Sequence, residues 1–404
     1  MIPAPVLTAR DLTIGYAAPR RAPTVVAERL AAALYPGELV CLAGPNGAGK
    51  STLLRTLAGM QPALAGEVRL GGDLVAALEP RERARRMSVV LTDRVEDGHL
   101  TAYALAALGR HPYTDWTGRL SAHDEAVVRW AMEAVGARPL AARPIGELSD
   151  GERQKIMIAR ALAQEPLVML LDEPTAFLDL PNRVEIMRVL RALTRQTGRA
   201  ILLSTHDLDL ALRSADRLWL LPSGGPLHDG APEDLVLSGA LEATFHSEGI
   251  AFDRQTGTFA IVAARTGCVA LIGGGVTALW TRRALEREGY RVVGEGGEAF
   301  ARVEVLGEEE SPRWRCTAGG VSGRVRLAAR ADCGVARGAG IGGAYRRGAE
   351  NAERTRTDFR SLRRLRKSVS RSVPSALSLP TSLRLCPPPL PHRWVSVGNM
   401  GVSR

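Results

Sequence analysis

Short, wholly apolar runs alternate with stretches of helical spacing through the first 250 residues. Segments 6–12, 39–43, 67–70, 87–91, 167–171, 200–204 and 217–221 read as strands. Helical spacing fits 50–58, a longer stretch around 101–145, then 151–163, 182–197 and 207–214. A strand that is apolar at every position is buried on both faces. Alternation of such strands with helices predicts an α/β fold around a parallel sheet. Segment 266–320 predicts a second, small α/β unit. There 268–272 reads as a strand, Gly273-Gly274-Gly275 as a turn, and 278–288 as a helix with Leu279, Ala284 and Leu285 facing inward. Segment 290–293 is a second strand, and 302–306 pairs with 313–317 as a hairpin. The glycine turn lacks the G-x-G-x-x-G spacing of a dinucleotide site, so a plain β-α-β unit is expected.

The pattern fails from about residue 320. Gly, Arg, Ser and Pro dominate 321–404, and Pro387-Pro388-Pro389 is followed by Pro391. A segment of that composition cannot bury enough apolar surface to fold. Two readings remain open: a basic, disordered tail that binds anionic lipid or nucleic acid, or an out-of-frame product.

Composition changes the picture in three places. First, the 404 residues allow two or three domains, and 45% hydrophobic content supports a sizeable core. Second, the formal charge of +10 misleads. Residues 311–404 hold 19 basic and 4 acidic side chains, a net of +15, so the remaining 34 and 39 leave a net of −5. The basic excess lies in the tail, and no nucleic acid is expected as partner of the body. Third, the five cysteines show neither metal-ligand spacing nor C-x-x-C pairing, and Cys41 reads as core. Met1-Ile2-Pro3-Ala4-Pro5 lacks the features of a signal peptide. Segment 259–280 contains Arg265 and four glycines, which argues against a membrane span.

The chemistry is concentrated in a few short motifs. Gly44-Pro45-Asn46-Gly47-Ala48-Gly49-Lys50-Ser51-Thr52 fits G-x-x-x-x-G-K-[ST], between a strand and a helix start. Its glycines let backbone N–H groups turn toward phosphate oxygens, with the helix N-terminus behind them. Lys50 then reaches the β- and γ-phosphates, and Ser51 ligates Mg²⁺. Asp172 and Glu173 end the apolar strand 167–171. Asp172 is placed to hold the metal, and Glu173 to polarise an attacking water.

Between the two motifs stands Leu148-Ser149-Asp150-Gly151-Glu152-Arg153-Gln154, which resembles the signature sequence of ABC-type ATPases. Over residues 5–250 the chain is identified as a member of that family. The resemblance implies a P-loop NTPase core with a parallel sheet, an antiparallel β part and a helical subdomain around 94–147. It implies ATP and Mg²⁺, and a domain spanning 1–252. Tyr16 stands where an aromatic stacks on adenine. Asp179, in Phe177-Leu178-Asp179, matches the D-loop, and His206 matches the switch histidine that meets the γ-phosphate. Ser149, Asp150, Gly151 and Glu152 would act in trans, so two copies meet head to tail. Transmembrane permease subunits follow, with a periplasmic substrate-binding protein beyond them. The protein would sit at the cytoplasmic face of the membrane, peripheral to it.

Two departures stand out. Asp150 puts a carboxylate near a phosphate and is expected to point aside. Thr92, followed by Asp93, occupies the position where the family has Gln, so Mg²⁺ contact there would run through water or through Asp93. Leu108-Gly109-Arg110-His111-Pro112-Tyr113, then Trp116, is similar to ATPases of ferric-siderophore, haem and cobalamin importers. Tyr113 and Trp116 are expected at the permease contact, with burial as the alternative for Trp116. Two other functions stay open: a non-transport ABC ATPase acting on nucleic acid or ribosomes, and a weakly hydrolysing ATP-binding dimer.

Overall fold

The computed structural model describes residues 3–17, 22–91, 100–246, 250–254, 257–261, 267–306, 313–318 and 321–325. They fall in two compact units, which divide after Val262.

The first unit opens with β1 (Leu7–Tyr16), β2 (Thr24–Leu34), β3 (Leu39–Ala43), α1 (Lys50–Leu57), β4 (Ala65–Leu70) and β5 (Asp73–Leu74). Next come α2 (Pro80–Arg86), β6 (Met87–Val90), α3 (Ala102–Ala107), α4 (Ala122–Ala134) and α5 (Asp150–Ala163). Then follow β7 (Val168–Leu171), α6 (Leu180–Thr197), β8 (Ala200–Ser204), α7 (Leu208–Ser214), β9 (Arg217–Leu220) and β10 (His228–Gly230). The unit closes with α8 (Pro232–Leu237), α9 (Ala240–Thr244) and the hairpin β11 (Ile250–Asp253) and β12 (Thr258–Ile261).

The central sheet has the order β10-β9-β3-β8-β7-β6, parallel except for β10. A second sheet, β2-β1-β4-β5, is antiparallel. Every residue of β3, β7 and β8 is buried, and alternate side chains enter different cores. Leu39, Cys41, Met169, Leu171, Ile201 and Leu203 pack on the helical side. Val40, Leu42, Val168, Leu170, Ala200 and Leu202 pack against α1 and the antiparallel sheet. Each Leu or Val so enclosed is worth about 1.5–3 kcal/mol of transfer free energy. Cys41 is part of this core: burial, with the nearby charge of Asp216, pushes its thiol up to about 12.

The second unit is built from β13 (Gly267–Ile272), α10 (Gly275–Arg287), β14 (Tyr290–Val293), β15 (Ala301–Leu306), β16 (Arg313–Ala318) and β17 (Val321–Val325). Its sheet order is β14-β13-β15-β16-β17, parallel up to β15 and antiparallel beyond. α10 buries Ala278, Thr281 and Leu285. Leu279, expected inward, is exposed, because the 278–281–285 stripe sets the contact face a hundred degrees away from it. Thr281 rather than Leu279 meets the sheet: the Trp314 indole N–H donates to its hydroxyl at 2.8 Å. β17 carries the sheet past residue 320, where composition alone placed the boundary. The rest of the expected tail lies outside the described residues.

Candidate functional site

In a parallel sheet, all strands deliver their C-terminal ends to one edge, and ligands bind there. β3, β8 and β7 are adjacent, so the loops after Ala43, Ser204 and Leu171 converge.

The loop after β3 is the phosphate-loop motif. Gly47 and Gly49 have φ of 79° and 101°, a region that side chains rarely adopt. A Cβ on Gly49 would lie 2.4 Å from Val26, and one on Gly44 would lie 2.2 Å from the Leu221 carbonyl. The loop can therefore take this path only with glycine at both points. Pro45, Asn46 and Ala48 complete the turn, the Ala48 N–H donating to the Pro45 carbonyl at 3.2 Å. Lys50 is buried, and its Nζ donates to the carbonyls of Gly44 at 2.9 Å and Pro45 at 3.1 Å. Burial lowers its pKa, while Glu173 and Asp172 work to raise it. Tyr16 leaves its ring half exposed, with its hydroxyl 3.0 Å from that of Thr52.

The loops after β7 and β8 supply the carboxylates. Ser51 Oγ donates to Asp172 Oδ1 at 3.1 Å, and Ser204 Oγ donates to the same oxygen at 2.7 Å. Ser204 also accepts from the Glu173 N–H at 2.8 Å. Glu173 sits at a φ of 49°, a strained conformation for a side-chain-bearing residue. Its Oε1 lies 2.5 Å from His206 Nε2. Ser204 is the one member of this cluster to which sequence reasoning gave no role. Its signal was available: a lone hydroxyl closing the apolar run Ile201-Leu202-Leu203, two residues before His206. The Ser51 hydroxyl and buried Asp172 carboxylate are hard oxygen donors side by side. No group of three His, Cys, Asp or Glu occurs among the described residues. That suits Mg²⁺, which takes one or two protein oxygens and completes its shell with phosphates and water.

The signature residues form the start of α5. Ser149 is its N-cap, in a capping box with Glu152: hydroxyl to carboxylate at 3.0 Å, and Glu152 N–H to hydroxyl at 3.3 Å. These bonds, led by the Ser149 N–H, hold the Glu152 carboxyl below the usual range. Asp150 turns aside to Arg153, 3.5 Å away. A Cβ on Gly151 would lie 2.7 Å from the Asn182 side chain on α6, which would have to shift. Asp179 caps α6, accepting from the Asn182 N–H at 3.1 Å. Signature and D-loop are thus neighbours; Ser149 and Glu152 bond to each other, and Glu152 also accepts from Arg143. Thr92 and Asp93 lie outside the described residues.

The segment around Arg110 is anchored by that side chain, while Leu108 and His111 remain exposed. Arg110 is buried, and its guanidinium donates to Asp124 at 2.8 Å, to the Ala163 carbonyl at 2.8 Å and to Glu165 at 2.6 Å. It stacks on the Tyr113 ring, 3.9 Å from the centroid, and the Tyr113 hydroxyl donates to the Gln164 carbonyl at 3.0 Å. A Cβ on Gly109 would lie 2.1 Å from the Arg160 carbonyl, so only glycine lets this turn approach α5. Tyr113, half-buried, packs its ring on a desolvated cation. Trp116 is the opposite case, 95% exposed, which excludes the burial alternative.

Comparison with known proteins agrees with this geometry. The ABC transporter family matches residues 27–176, and the iron ABC transporter C-terminal domain matches residues 266–326. An ABC transporter ATP-binding protein of Methanocaldococcus jannaschii is 39% identical over 71% of this chain and 98% of its own length. The ferric enterobactin transport ATP-binding protein of Escherichia coli is 36% identical over 59% of this chain and 86% of its own. For the cobalamin import ATP-binding protein of Halobacterium salinarum the values are 38%, 67% and 69%. Among solved structures, a transporter described as of metal-chelate type, in an inward-facing conformation, matches at a TM-score of 0.52 and 25% identity. That match covers 63% of this chain and 95% of the other. The chain belongs to the ATP-binding subunits of ABC transporters.

Proposed function

We propose that this chain powers an importer of an iron chelate, haem or cobalamin by hydrolysing ATP in head-to-tail pairs. As an ABC transporter subunit it binds ATP and couples its hydrolysis to transport. Among the described residues no helix is long and apolar enough to cross a membrane. The work goes to separate permease subunits, with the ATPase at their cytoplasmic face and a periplasmic binding protein delivering substrate. Importer names among the relatives favour this reading over one on nucleic acid or ribosomes.

The observation that carries the mechanism is the Glu173–His206 contact at 2.5 Å beside the Ser51–Asp172–Ser204 cluster. Lys50 exchanges its bonds to the Gly44 and Pro45 carbonyls for β- and γ-phosphate oxygens. Ser51 and Asp172 would hold Mg²⁺, which neutralises charge on those phosphates. Tyr16 offers its open ring to adenine. Glu173 accepts a proton from water, and His206 leaves Glu173 for the γ-phosphate. Ser149 and Gly151 close over the nucleotide of the other copy, and Asp179 follows at the same seam. Release of the clamp after hydrolysis is the mechanical output.

The permease seats in a cleft of about 430 Å³ bounded by Met60, α2, β6 and α5. Leu91, the residue before Thr92, lines it. Reconstitution with the cognate permease tests the whole reading. ATP-dependent uptake of a ferric chelate, haem or cobalamin is expected. Uptake of none of these, with brisk ATP hydrolysis, would remove the assignment.

A further inference from the structure

Helix α10 has two apolar sides, and the sheet of its unit covers one of them. Ala278, Thr281 and Leu285 are buried. Val276, Trp280, Arg283 and Arg287 are spaced four, three and four residues apart, so they line the opposite side, with Leu279 beside them. All five are exposed, Trp280 at 59%, Val276 at 55% and Leu279 at 40%. The helix thus buries an alanine and a threonine and leaves its tryptophan in solvent. A helix with the sheet as its one partner would reverse that choice.

Charge is arranged around the stripe. The Arg283 guanidinium lies over the Trp280 ring, 4.9 Å from its centroid. Arg282, next to it, is 4.0 Å from Glu286. Ring and cation are presented together, a pairing that suits a bilayer surface. An indole sits at the boundary of headgroups and acyl chains, and a guanidinium takes the phosphates above it. Three apolar side chains fall far short of the roughly 800 Å² per partner that a stable protein interface buries. They are enough for shallow insertion, which is marginal alone and is strengthened by a polybasic segment nearby. This unit leads into such a segment, since residues 311–404 carry a net charge of +15.

We propose that the outer face of α10 docks on an anionic bilayer. Trp280, Leu279 and Val276 enter the interface, and Arg283 and Arg287 pair with lipid phosphates. An ATP-binding subunit of a membrane transporter works beside lipid, so the proposal is independent of the substrate carried.

The test uses the full chain without nucleotide and two vesicle types, phosphatidylglycerol mixed with phosphatidylcholine, and phosphatidylcholine alone. Sedimentation should show binding to the mixed vesicles and much weaker binding to the neutral ones. Trp280→Glu is expected to weaken binding by about tenfold or more. Arg283→Gln should weaken it by about fivefold at low salt. Trp280→Phe should keep most of the affinity. With lipid brominated in its acyl chains, tryptophan fluorescence of the native chain should be quenched, and Trp280→Phe should lose that quenching. ATP turnover in solution should stay native in all three variants, since these side chains are exposed. If Trp280→Glu binds as tightly as the native chain, adsorption runs through the basic tail and the proposal is overturned. Absence of binding to either vesicle overturns it too. Self-association without lipid that Trp280→Glu abolishes would make the stripe a contact between copies, which also overturns it. Should Trp280→Glu fail to fold, the quenching contrast with Trp280→Phe decides alone.

Discussion

The cluster around Asp172 and the turn around Arg110 both place charged groups in the interior, yet they end differently. Every donor of Arg110 that reaches an acceptor finds it within the chain, and the side chain is 2% exposed. Glu173 and His206 also touch, but their side chains remain 30% and 46% exposed, and the Glu173 backbone is strained. One arrangement is complete and closed to solvent. The other is held in an unfavourable conformation with faces still open to a ligand. A distinctive motif therefore does not separate scaffold from site. Whether its polar groups are used up internally does.

That contrast can be broken by substitution. The largest stability effect is expected for Arg110→Met. It strands Asp124 in the interior and should cost about 3–5 kcal/mol in denaturant unfolding. The same variant should change the acid limb of stability. Burial pushes the Asp124 carboxyl up, but bonds from Ser121 and Arg110 overcome this and hold it below the usual range. Its contribution is thus complete above the ordinary carboxylate pKa and fades as pH falls through the lower folded value. Losing Arg110 should flatten that fade. An unchanged midpoint and acid profile would mean that the brace is not structural.

Ser204→Ala sharpens the other side of the comparison. It removes the hydroxyl that positions both Asp172 and the Glu173 N–H, for a stability cost of about 1–3 kcal/mol. Turnover should fall more than nucleotide affinity. Equal losses of both would make Ser204 a packing residue only. Smaller still is Tyr113→Phe, at about 0.5–1.5 kcal/mol for one hydrogen bond. Trp116→Ala, at a fully solvated position, should stay within about 0.5 kcal/mol of native stability.

These differences also explain what could be read from sequence. β3, β7 and β8 were legible because continuous burial writes continuous apolar runs. The phosphate loop was legible because the approaches at Gly44 and Gly49 leave no alternative to glycine. The direction in which Tyr113 faces was not legible. It depends on Asp124, Ala163, Glu165 and Gln164, which lie from 11 to 52 residues further along the chain. The helix face of α10 was misjudged by one position, since Leu279 and Ala278 differ in sequence by one step but in direction by a quarter turn. Ser204 was hidden because its role exists only once β7 and β8 are neighbours.

The central claim is that the strained, half-open Glu173 is the group that acts on water, while Lys50, Ser51 and Asp172 hold the nucleotide. Glu173→Gln tests it most directly, by steady-state ATP turnover alongside size-exclusion chromatography with ATP. Turnover should fall by about 10²–10⁴-fold, with ATP still bound and the protein accumulating as an ATP-containing dimer. Turnover at the native rate would contradict the account.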